Sequence, residues 1–200
     1  MRSLLPAILA MAAVVLASNI LVQFLLGDWL TWGALTYPVA FLVTDVTNRM
    51  HGVAAARKVV LAGFVIGVAC SLVAAGMDKT TLRIAAGSGA AFLVAQLLDV
   101  SVFDRLRFRD WWQAPFLSSL VGSVVDTVLF FTIAFAAFLP PDANTGWTSE
   151  PVPLLGTGPT LPLWMSLAVA DWSVKMALAV LALVPYRGIV RKILSRPAEN

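Results

Sequence analysis

The chain is poor in the residues on which many enzymes and disulfide-bonded proteins depend. Its 200 residues include one cysteine and one histidine, and only 12% of them are charged. A single cysteine, Cys70, permits neither a disulfide framework nor a cysteine-based metal cluster. The only histidine, His51, lies after an apolar run rather than within it, so a Ser–His dyad inside such a run is excluded. The sequence also has no phosphate-binding glycine motif. The sequence therefore predicts no enzyme, no catalytic residue, no metal site and no cofactor.

The scarcity of charge is matched by an excess of long apolar runs. Hydrophobic residues make up 60% of the chain and the mean hydropathy is +0.86, whereas a soluble domain is nearer half apolar and a quarter charged. The runs have about 20 residues each, the length that crosses a bilayer. They predict an all-α membrane protein with one integral membrane domain over residues 1–200. The six predicted transmembrane helices are residues 4–26, 30–48, 59–75, 82–103, 115–139 and 163–184.

The basic residues fall mainly at one end of these six spans. Loops on the cytoplasmic side of a membrane protein carry the excess of Lys and Arg, so both termini are predicted to be cytoplasmic. The basic residues of these loops account for the sequence pI of about 9.4. The high pI is therefore not a sign of nucleic-acid binding, and nucleic acid is not predicted as a partner. The residues on this side are Arg2, Arg49, Arg57, Lys58, Arg105, Arg107, Arg109, Arg187, Arg191, Lys192 and Arg196.

Four carboxylates lie inside the apolar stretches: Asp45, Asp99, Asp126 and Asp171. An ionised Asp near the centre of a bilayer costs roughly 2.5–3.5 kcal/mol on insertion scales. Several such residues in one small chain predict that they face each other, a cavity or a polar solute. The sequence therefore favours a protein that handles a polar compound inside the bilayer.

The second predicted span combines a proline with a dense polar end. Pro38 removes a backbone hydrogen bond and leaves a carbonyl group free. Broken helices with such free groups are tolerated at membrane depth where they line a cavity. Thr44, Asp45 and Asn48 place hydrogen-bonding groups at the cytoplasmic end of this span. A plain proline kink with a polar helix end is the alternative interpretation.

Polar side chains also share faces on the fourth and fifth spans. Gln96 and Asp99 are three residues apart and lie on one helix face. The fifth span places Ser119, Asp126 and Thr127 in one polar stripe together with Ser123. For Asp126 a structural bond between helices remains the alternative, and serine or threonine hydroxyls in spans often bond their own backbone.

The sixth span carries Asp171 and Lys175, four residues apart. One interpretation is an ion pair within the helix that lowers the cost of insertion. In the other, Lys175 neutralises a carboxylate on another helix or contacts the solute. Both interpretations remain open at the level of sequence.

Taken in order, these motifs resemble the queuosine precursor transporter family, also called the vitamin uptake transporter family. The resemblance runs from about residue 19 to 187. It is carried by Thr36-Tyr37-Pro38, Thr44-Asp45-Val46-Thr47-Asn48, Arg57, Gln96-Leu97-Leu98-Asp99-Val100, Trp111-Trp112, Ser118-Ser119, Asp126-Thr127, Phe130-Phe131-Thr132-Ile133-Ala134-Phe135, Lys175 and Pro185-Tyr186. Two positions differ from the family pattern: Arg49 stands where an acidic residue is common, and Ser123 where Gln is common.

The resemblance implies a multi-pass protein of the bacterial inner membrane that imports 7-cyano-7-deazaguanine or a related deazaguanine precursor of queuosine. Such a base is planar and neutral, and its edge presents two adjacent N–H donors that one carboxylate can accept. The expected partners are this deazapurine and the lipid bilayer, with a homodimer as a further expectation. The predicted substrate-binding residues are Tyr37, Asp45, Asn48, Gln96, Asp99, Ser119, Asp126, Thr127 and Lys175.

Three classes of function compete for this sequence. The leading hypothesis is a secondary carrier whose central site is lined by spans two, four, five and six. The alternative is a substrate-binding membrane subunit that works with a separate energising module, since the chain has no ATPase motif. An intramembrane enzyme or a scaffold is the third class. The scarcity of histidine and of metal ligands opposes an enzyme, and a scaffold does not need several buried carboxylates.

Overall fold

The computed structural model describes residues 3–22, 24–27, 30–36, 38–139 and 145–194, and these residues are mainly helical. Two short antiparallel hairpins and two single 3-10 turns join the helices in these ranges. The helices are α1 (Leu5–Leu21), α2 (Gly33–Thr36), α3 (Pro38–His51), α4 (Val53–Gly76), α5 (Leu82–Leu106), α6 (Gln113–Phe135) and α7 (Leu163–Leu194). The strands are β1 (Leu25–Leu26), β2 (Leu30–Thr31), β3 (Pro151–Pro153) and β4 (Thr160–Pro162).

Five of the predicted spans correspond to one helix each, although their ends differ from the prediction. α4 begins at Val53 rather than at residue 59, and α7 continues to Leu194 rather than ending at 184. α1 ends at Leu21 because the chain then turns into the β1–β2 hairpin, where Gly27 has a φ of +69° that suits glycine. The prediction that span one continues to residue 26 was therefore wrong.

The second predicted span, residues 30–48, is not one continuous helix. It begins as strand β2, and helical structure follows in α2 and α3, with residue 37 between them outside the described residues. α2 packs tightly on the end of α1, since a Cβ atom at Gly33 would lie 2.9 Å from the Cα of Val22. α3 starts at Pro38, where the fixed φ and the missing N–H suit the first helical turn. The prediction that the span is helical from residue 30 was therefore wrong, because residues 30 and 31 form β2. The predicted break at Pro38 depends on Tyr37, which lies outside the described residues.

Four described helices are long and apolar enough to cross a membrane: α4, α5, α6 and residues Leu163–Lys192 of α7. α1 is apolar but has 17 residues, and α3 has 14. The outer faces of the long helices carry exposed aliphatic side chains, such as Val65 and Val73 of α4 and Val184 of α7. Contiguous exposed apolar surface of this kind is typical of contact with lipid. The chain is a multi-pass, all-α membrane protein.

The helices surround two clusters of buried side chains. The larger cluster joins α1, α3, α4 and α5 through residues such as Met11, Val60 and Phe92. The smaller cluster joins α5, α6 and α7, where the rings of Phe103 and Tyr186 meet edge to face with centroids 6.3 Å apart. α5 and α6 form a close antiparallel hairpin, and the polar site lies where α3 and α7 meet this hairpin.

Two arginines bind the carbonyl groups that remain free where helices end. Arg83 of α5 donates to the carbonyl oxygens of Ile133 (2.7 Å) and Ala136 (2.6 Å) at the end of α6. Arg49 of α3 donates to the carbonyl oxygen of Arg107 at the end of α5. Arg83 thus joins α5 to α6 where α5 begins, and Arg49 joins α3 to α5 where α5 ends.

Candidate functional site

A cavity lies between α3, α6 and α7. The space there that can hold the centre of a water molecule is about 20 Å³, so the closed bundle leaves room for little more than one water molecule. Its apolar wall is formed by aliphatic and proline residues together with Phe41. The polar residues on its wall are Asp45, Ser119, Ser123, Lys175 and Tyr186. A small, mostly apolar cavity with a few polar groups is typical of a site for a small molecule.

α3 carries the polar groups because three of its side chains share one face. Thr44, Asp45 and Asn48 are all buried, with relative exposures of 2% or less. Residues three and four apart lie side by side on a helix, so the turn after Phe41 presents hydroxyl, carboxyl and amide groups to the neighbouring helices. The polar end of the second span therefore faces the interior of the bundle.

Asp45 and Asp99 lie on facing parts of α3 and α5. Hydrogen bonds from Thr44 to Gln96 and from Asn48 to the carbonyl of Val100 join the two helices on either side of them. The Ser118 hydroxyl donates to Asp45 Oδ1 at 3.4 Å. Neither oxygen of Asp99 has a hydrogen-bond donor as partner among the described residues. Two acceptors thus face each other in a region that the bundle buries almost completely.

Gln96 and Asn48 flank this carboxyl pair. The Thr44 hydroxyl donates to Gln96 Oε1 at 2.7 Å, which leaves Gln96 Nε2 without a partner in the described structure. Asn48 Nδ2 donates to the carbonyl oxygen of Val100 at 2.9 Å, which leaves Asn48 Oδ1 unpaired there. Buried polar groups are normally hydrogen-bonded, so several unpaired ones in one place indicate a binding site.

Close backbone packing brings α6 against this region. A Cβ atom at Gly122 would lie 2.8 Å from Cε1 of Phe41 and 3.4 Å from Cβ of Asp99. Only a glycine therefore lets α6 approach α3 and α5 this closely without a shift of the Phe41 ring. Gly122 positions Ser118 and Ser119, one turn earlier on α6, against the carboxyl pair and the cavity.

A second polar cluster connects α6 with α7 around Lys175. Its ammonium lies 2.5 Å from Asp171 Oδ2 and 2.7 Å from Asp126 Oδ2, and it contacts Thr127 Oγ1 at 3.3 Å. Thr127 in turn donates to Asp171 Oδ2 at 3.1 Å. Both sequence interpretations of Lys175 are confirmed, because it pairs within its own helix and also neutralises a carboxylate on another.

The predicted site residues thus fall into two groups. Asp45, Asn48, Gln96 and Asp99 lie together around the carboxyl pair, and Ser119 lines the adjoining cavity. Asp126, Thr127 and Lys175 instead bond to one another, although Lys175 also reaches the cavity wall. The prediction for Tyr37 lies outside the described residues.

Ser118 and Tyr186 belong to this region but were not among the predicted site residues. Ser118 lies eight positions before Asp126 and therefore near the same face of α6, a spacing that could have identified it. Tyr186 is 1% exposed and its hydroxyl has no partner in the described part of the chain. Because α7 extends beyond the predicted end of its span, the depth of Tyr186 could not be inferred from hydropathy.

A second cavity lies between α1, α4 and α5, and its polar groups satisfy one another. Ser71 donates to Asn19 Oδ1 at 3.1 Å, and Ser18 and Thr36 share a hydrogen bond of 2.8 Å. No ionisable side chain lines this cavity. Nor does any group of three or more His, Cys, Asp or Glu within the described ranges form a metal site. The region around Asp45 and Asp99 is the better candidate for a functional site.

Known proteins are similar in sequence to most of this chain. A model of the family described as "Putative vitamin uptake transporter" matches residues 31–190. The protein named "Queuosine precursor transporter" from Escherichia coli (strain K12) is 34% identical over 90% of this chain and 83% of its own length. A "Probable queuosine precursor transporter" from Haemophilus influenzae is 35% identical over 84% of this chain and 72% of its own length.

A third relative, also named "Probable queuosine precursor transporter", comes from Bacillus subtilis (strain 168). It is 27% identical over 85% of this chain and 75% of its own length. No solved structure matches the chain. The matched residues 31–190 include every helix of the candidate site, from α3 to α7. The chain therefore belongs to the vitamin uptake transporter family, which includes the queuosine precursor transporters.

Proposed function

We propose that this chain imports a queuosine precursor, a 7-deazaguanine, across the bacterial inner membrane as a secondary carrier. Its family and the names of its relatives support transport rather than catalysis. The observation that carries the substrate assignment is the set of buried polar atoms without partners beside the cavity: Gln96 Nε2, Asn48 Oδ1 and both carboxylate oxygens of Asp99.

These atoms complement the edge of a guanine-type base. A 7-deazaguanine presents two adjacent N–H groups and a carbonyl, and a carboxylate accepts two parallel N–H donors well. Asp99 would accept this pair, and Gln96, one turn away on α5, would donate to the carbonyl. Asn48 Oδ1 would accept the remaining N–H of the amino group. Asp99 suits this role better than Asp126, because Asp126 already holds Lys175 at 2.7 Å.

The remaining predicted residues would act around the base rather than on its edge. Ser119 and Lys175 line the cavity beside Asp45, while Asp126 and Thr127 hold the Lys175 ammonium. Phe41 lines the cavity, where its ring would stack on the planar base, and the same stacking role is proposed for Tyr37. The base would enter between α3, α6 and α7, which must separate slightly to admit it.

A six-crossing topology with both termini in the cytoplasm is part of this proposal. α1, α4, α5, α6 and α7 would each cross once, and α2 with α3 would together form one broken crossing. Short helices that meet at a break are tolerated at membrane depth where protein covers the free backbone groups. The basic loops then lie on the cytoplasmic side. One integral domain and association as a homodimer remain predictions.

The proposal is tested by uptake of labelled 7-cyano-7-deazaguanine into bacterial cells that cannot synthesise it. Cells that express the wild-type chain should accumulate the label, and an unlabelled guanine-type base should compete where an adenine-type base does not. Asp99→Asn should lower uptake about tenfold or more, because a lost bond to a charged group is worth roughly 1.5–3 kcal/mol.

Asp104→Asn is the matched control on the same helix. Asp104 lies at the end of α5, where its half-exposed side chain pairs with Arg107 at 3.0 Å. This variant should transport like the wild type at equal expression. Absence of uptake by the wild-type chain would refute the function, and normal uptake by Asp99→Asn would refute the assigned contact.

A further inference from the structure

We propose that the Asp45–Asp99 carboxyl pair is a proton-binding site, and that the carrier closes around its solute only when the pair holds one proton. The inference rests on the proposed function, since it concerns the region where the base would bind. It adds a second ligand, the proton, which would control when the carrier can close.

The setting of the pair favours a hydrogen atom between two acceptors. Asp45 is 2% exposed and Asp99 is 0% exposed, and hydrogen bonds from Thr44 to Gln96 (2.7 Å) and from Asn48 to Val100 (2.9 Å) join α3 to α5 on either side of them. Both oxygens of Asp99 lack a donor among the described residues. The Ser118 hydroxyl is shared between Asp45 Oδ1 at 3.4 Å and the carbonyl oxygen of Pro115 at 3.3 Å. A proton on one carboxyl group supplies the missing donor.

No cation takes the place of this proton. Ion pairs elsewhere in the described residues join Lys175 to Asp126 and Asp171, and Arg107 to Asp104. Lys175 lines the same cavity as Asp45, but two other carboxylates already neutralise it.

The other elements packed against the pair bring no counter-charge into ion-pair distance of it. α4 carries Arg57 and Lys58, whose side chains are exposed. Arg49 and Arg107 lie around Tyr186 at the end of the bundle. α5 places the neutral Gln96 one turn from Asp99. Two ionised carboxylates in contact would repel each other strongly in such a setting.

The cavity provides a route for the proton. Asp45 lines the cavity and Asp99 does not, so Asp45 is the group that can exchange with water. With the cavity open, an Asp45 oxygen would take a proton from water, an O–H bond would form, and the charge of the pair would change from −2 to −1. In the loaded carrier Asp99 would keep its charge to accept the base, and Asp45 would hold the proton.

The first test is counterflow in liposomes that contain the purified chain, with equal pH on both sides. Exchange of labelled for unlabelled 7-cyano-7-deazaguanine should fall as the pH rises, by about tenfold per pH unit above the midpoint for one proton. Exchange that is independent of pH would overturn the inference and leave the proposed function standing. Exchange that depends on Na⁺ at constant pH would also overturn it, and no exchange at any pH would refute the proposed function itself.

The second test does not depend on transport. The melting temperature of the detergent-purified wild type should fall by about 5 °C or more as the pH rises through the midpoint, because the bound proton stabilises the folded state below it. Asp45→Asn should lose this pH dependence, because its amide N–H supplies the missing donor to Asp99 at every pH, whereas Asp104→Asn should retain it. A wild type without the slope, or an Asp45→Asn variant that keeps it, would overturn the inference.

Discussion

Lys175 is a buried cation that pairs with carboxylates on two helices. Its side chain is 6% exposed, and its ammonium lies within 2.7 Å of Asp126 and Asp171. A buried charge is tolerated only where partners compensate it, and removal of one partner leaves the others uncompensated. Lys175 therefore holds α6 and α7 together at the depth of the cavity.

Replacement of this residue should be costly for folding. Lys175→Met should lower the free energy of unfolding by about 3–5 kcal/mol, because it leaves two buried carboxylates without a cation. The measurement is thermal unfolding of the detergent-purified protein. Lys58→Met, at an exposed position of α4, is the control and should change little. Addition of Asp126→Asn to Lys175→Met should recover part of the loss, and a melting temperature equal to that of Lys58→Met would contradict this account.

At the scale of elements, the β1–β2 hairpin before α2 and the close approach of α6 place the site. The hairpin delays the start of helical structure to Gly33, and the polar turn of α3 lies within the bundle. Gly122 lets α6 pack against Phe41 and Asp99. Neither feature adds a functional group, yet both set the positions of the groups that the site uses.

The packing at Gly122 can be tested with a single methyl group. Gly122→Ala places a Cβ atom 2.8 Å from the Phe41 ring, which should cost about 1–3 kcal/mol of stability and lower solute uptake by displacing a cavity wall. Gly76→Ala, at the end of α4 with no atom within 4 Å of its Cβ position, is the matched control. Thermal unfolding and uptake should both distinguish the two variants, and equal behaviour would show that the contact is not tight.

At the scale of the whole molecule, the helices expose apolar side chains outward and bury charged ones inward. Val65, Val73 and Val184 are more than half exposed, whereas Asp45, Asp99 and Lys175 are at most 5% exposed. This arrangement inverts the usual pattern of a soluble protein, because lipid surrounds the bundle. It follows that the ends of the helices, with their basic and aromatic residues, define the two membrane surfaces.

The orientation can be tested by labelling cysteines in a Cys70→Ser background. Arg109→Cys, between α5 and α6, should react with a membrane-impermeant thiol reagent only after the cells are permeabilised. Lys79→Cys and Glu150→Cys, in the loops before α5 and after α6, should react in intact cells, because one helix separates each from residue 109. The reverse pattern would invert the topology, and labelling of all three in intact cells would refute the crossing of α5 and α6.

Much of the architecture of this protein could be predicted from its sequence, because insertion into a bilayer depends on the length and apolarity of each local segment. The length and apolarity of α4, α5, α6 and α7, and the presence of costly carboxylates within them, are visible in any window of about 20 residues. The shared face of Gln96 and Asp99 likewise follows from helical spacing. The motifs around these residues also indicate the family.

Contacts between distant residues could be decided only by the packing of the helices. Asp45 and Asp99 belong to different helices, as do Lys175 and Asp126, and no local pattern states which carboxylate meets a cation and which meets another carboxylate. The single turn α2 and the hairpin after α1 were missed for a similar reason, since they depend on packing against α1 rather than on hydropathy. Charge pairing and close approach are properties of pairs of helices, and only the folded bundle defines those pairs.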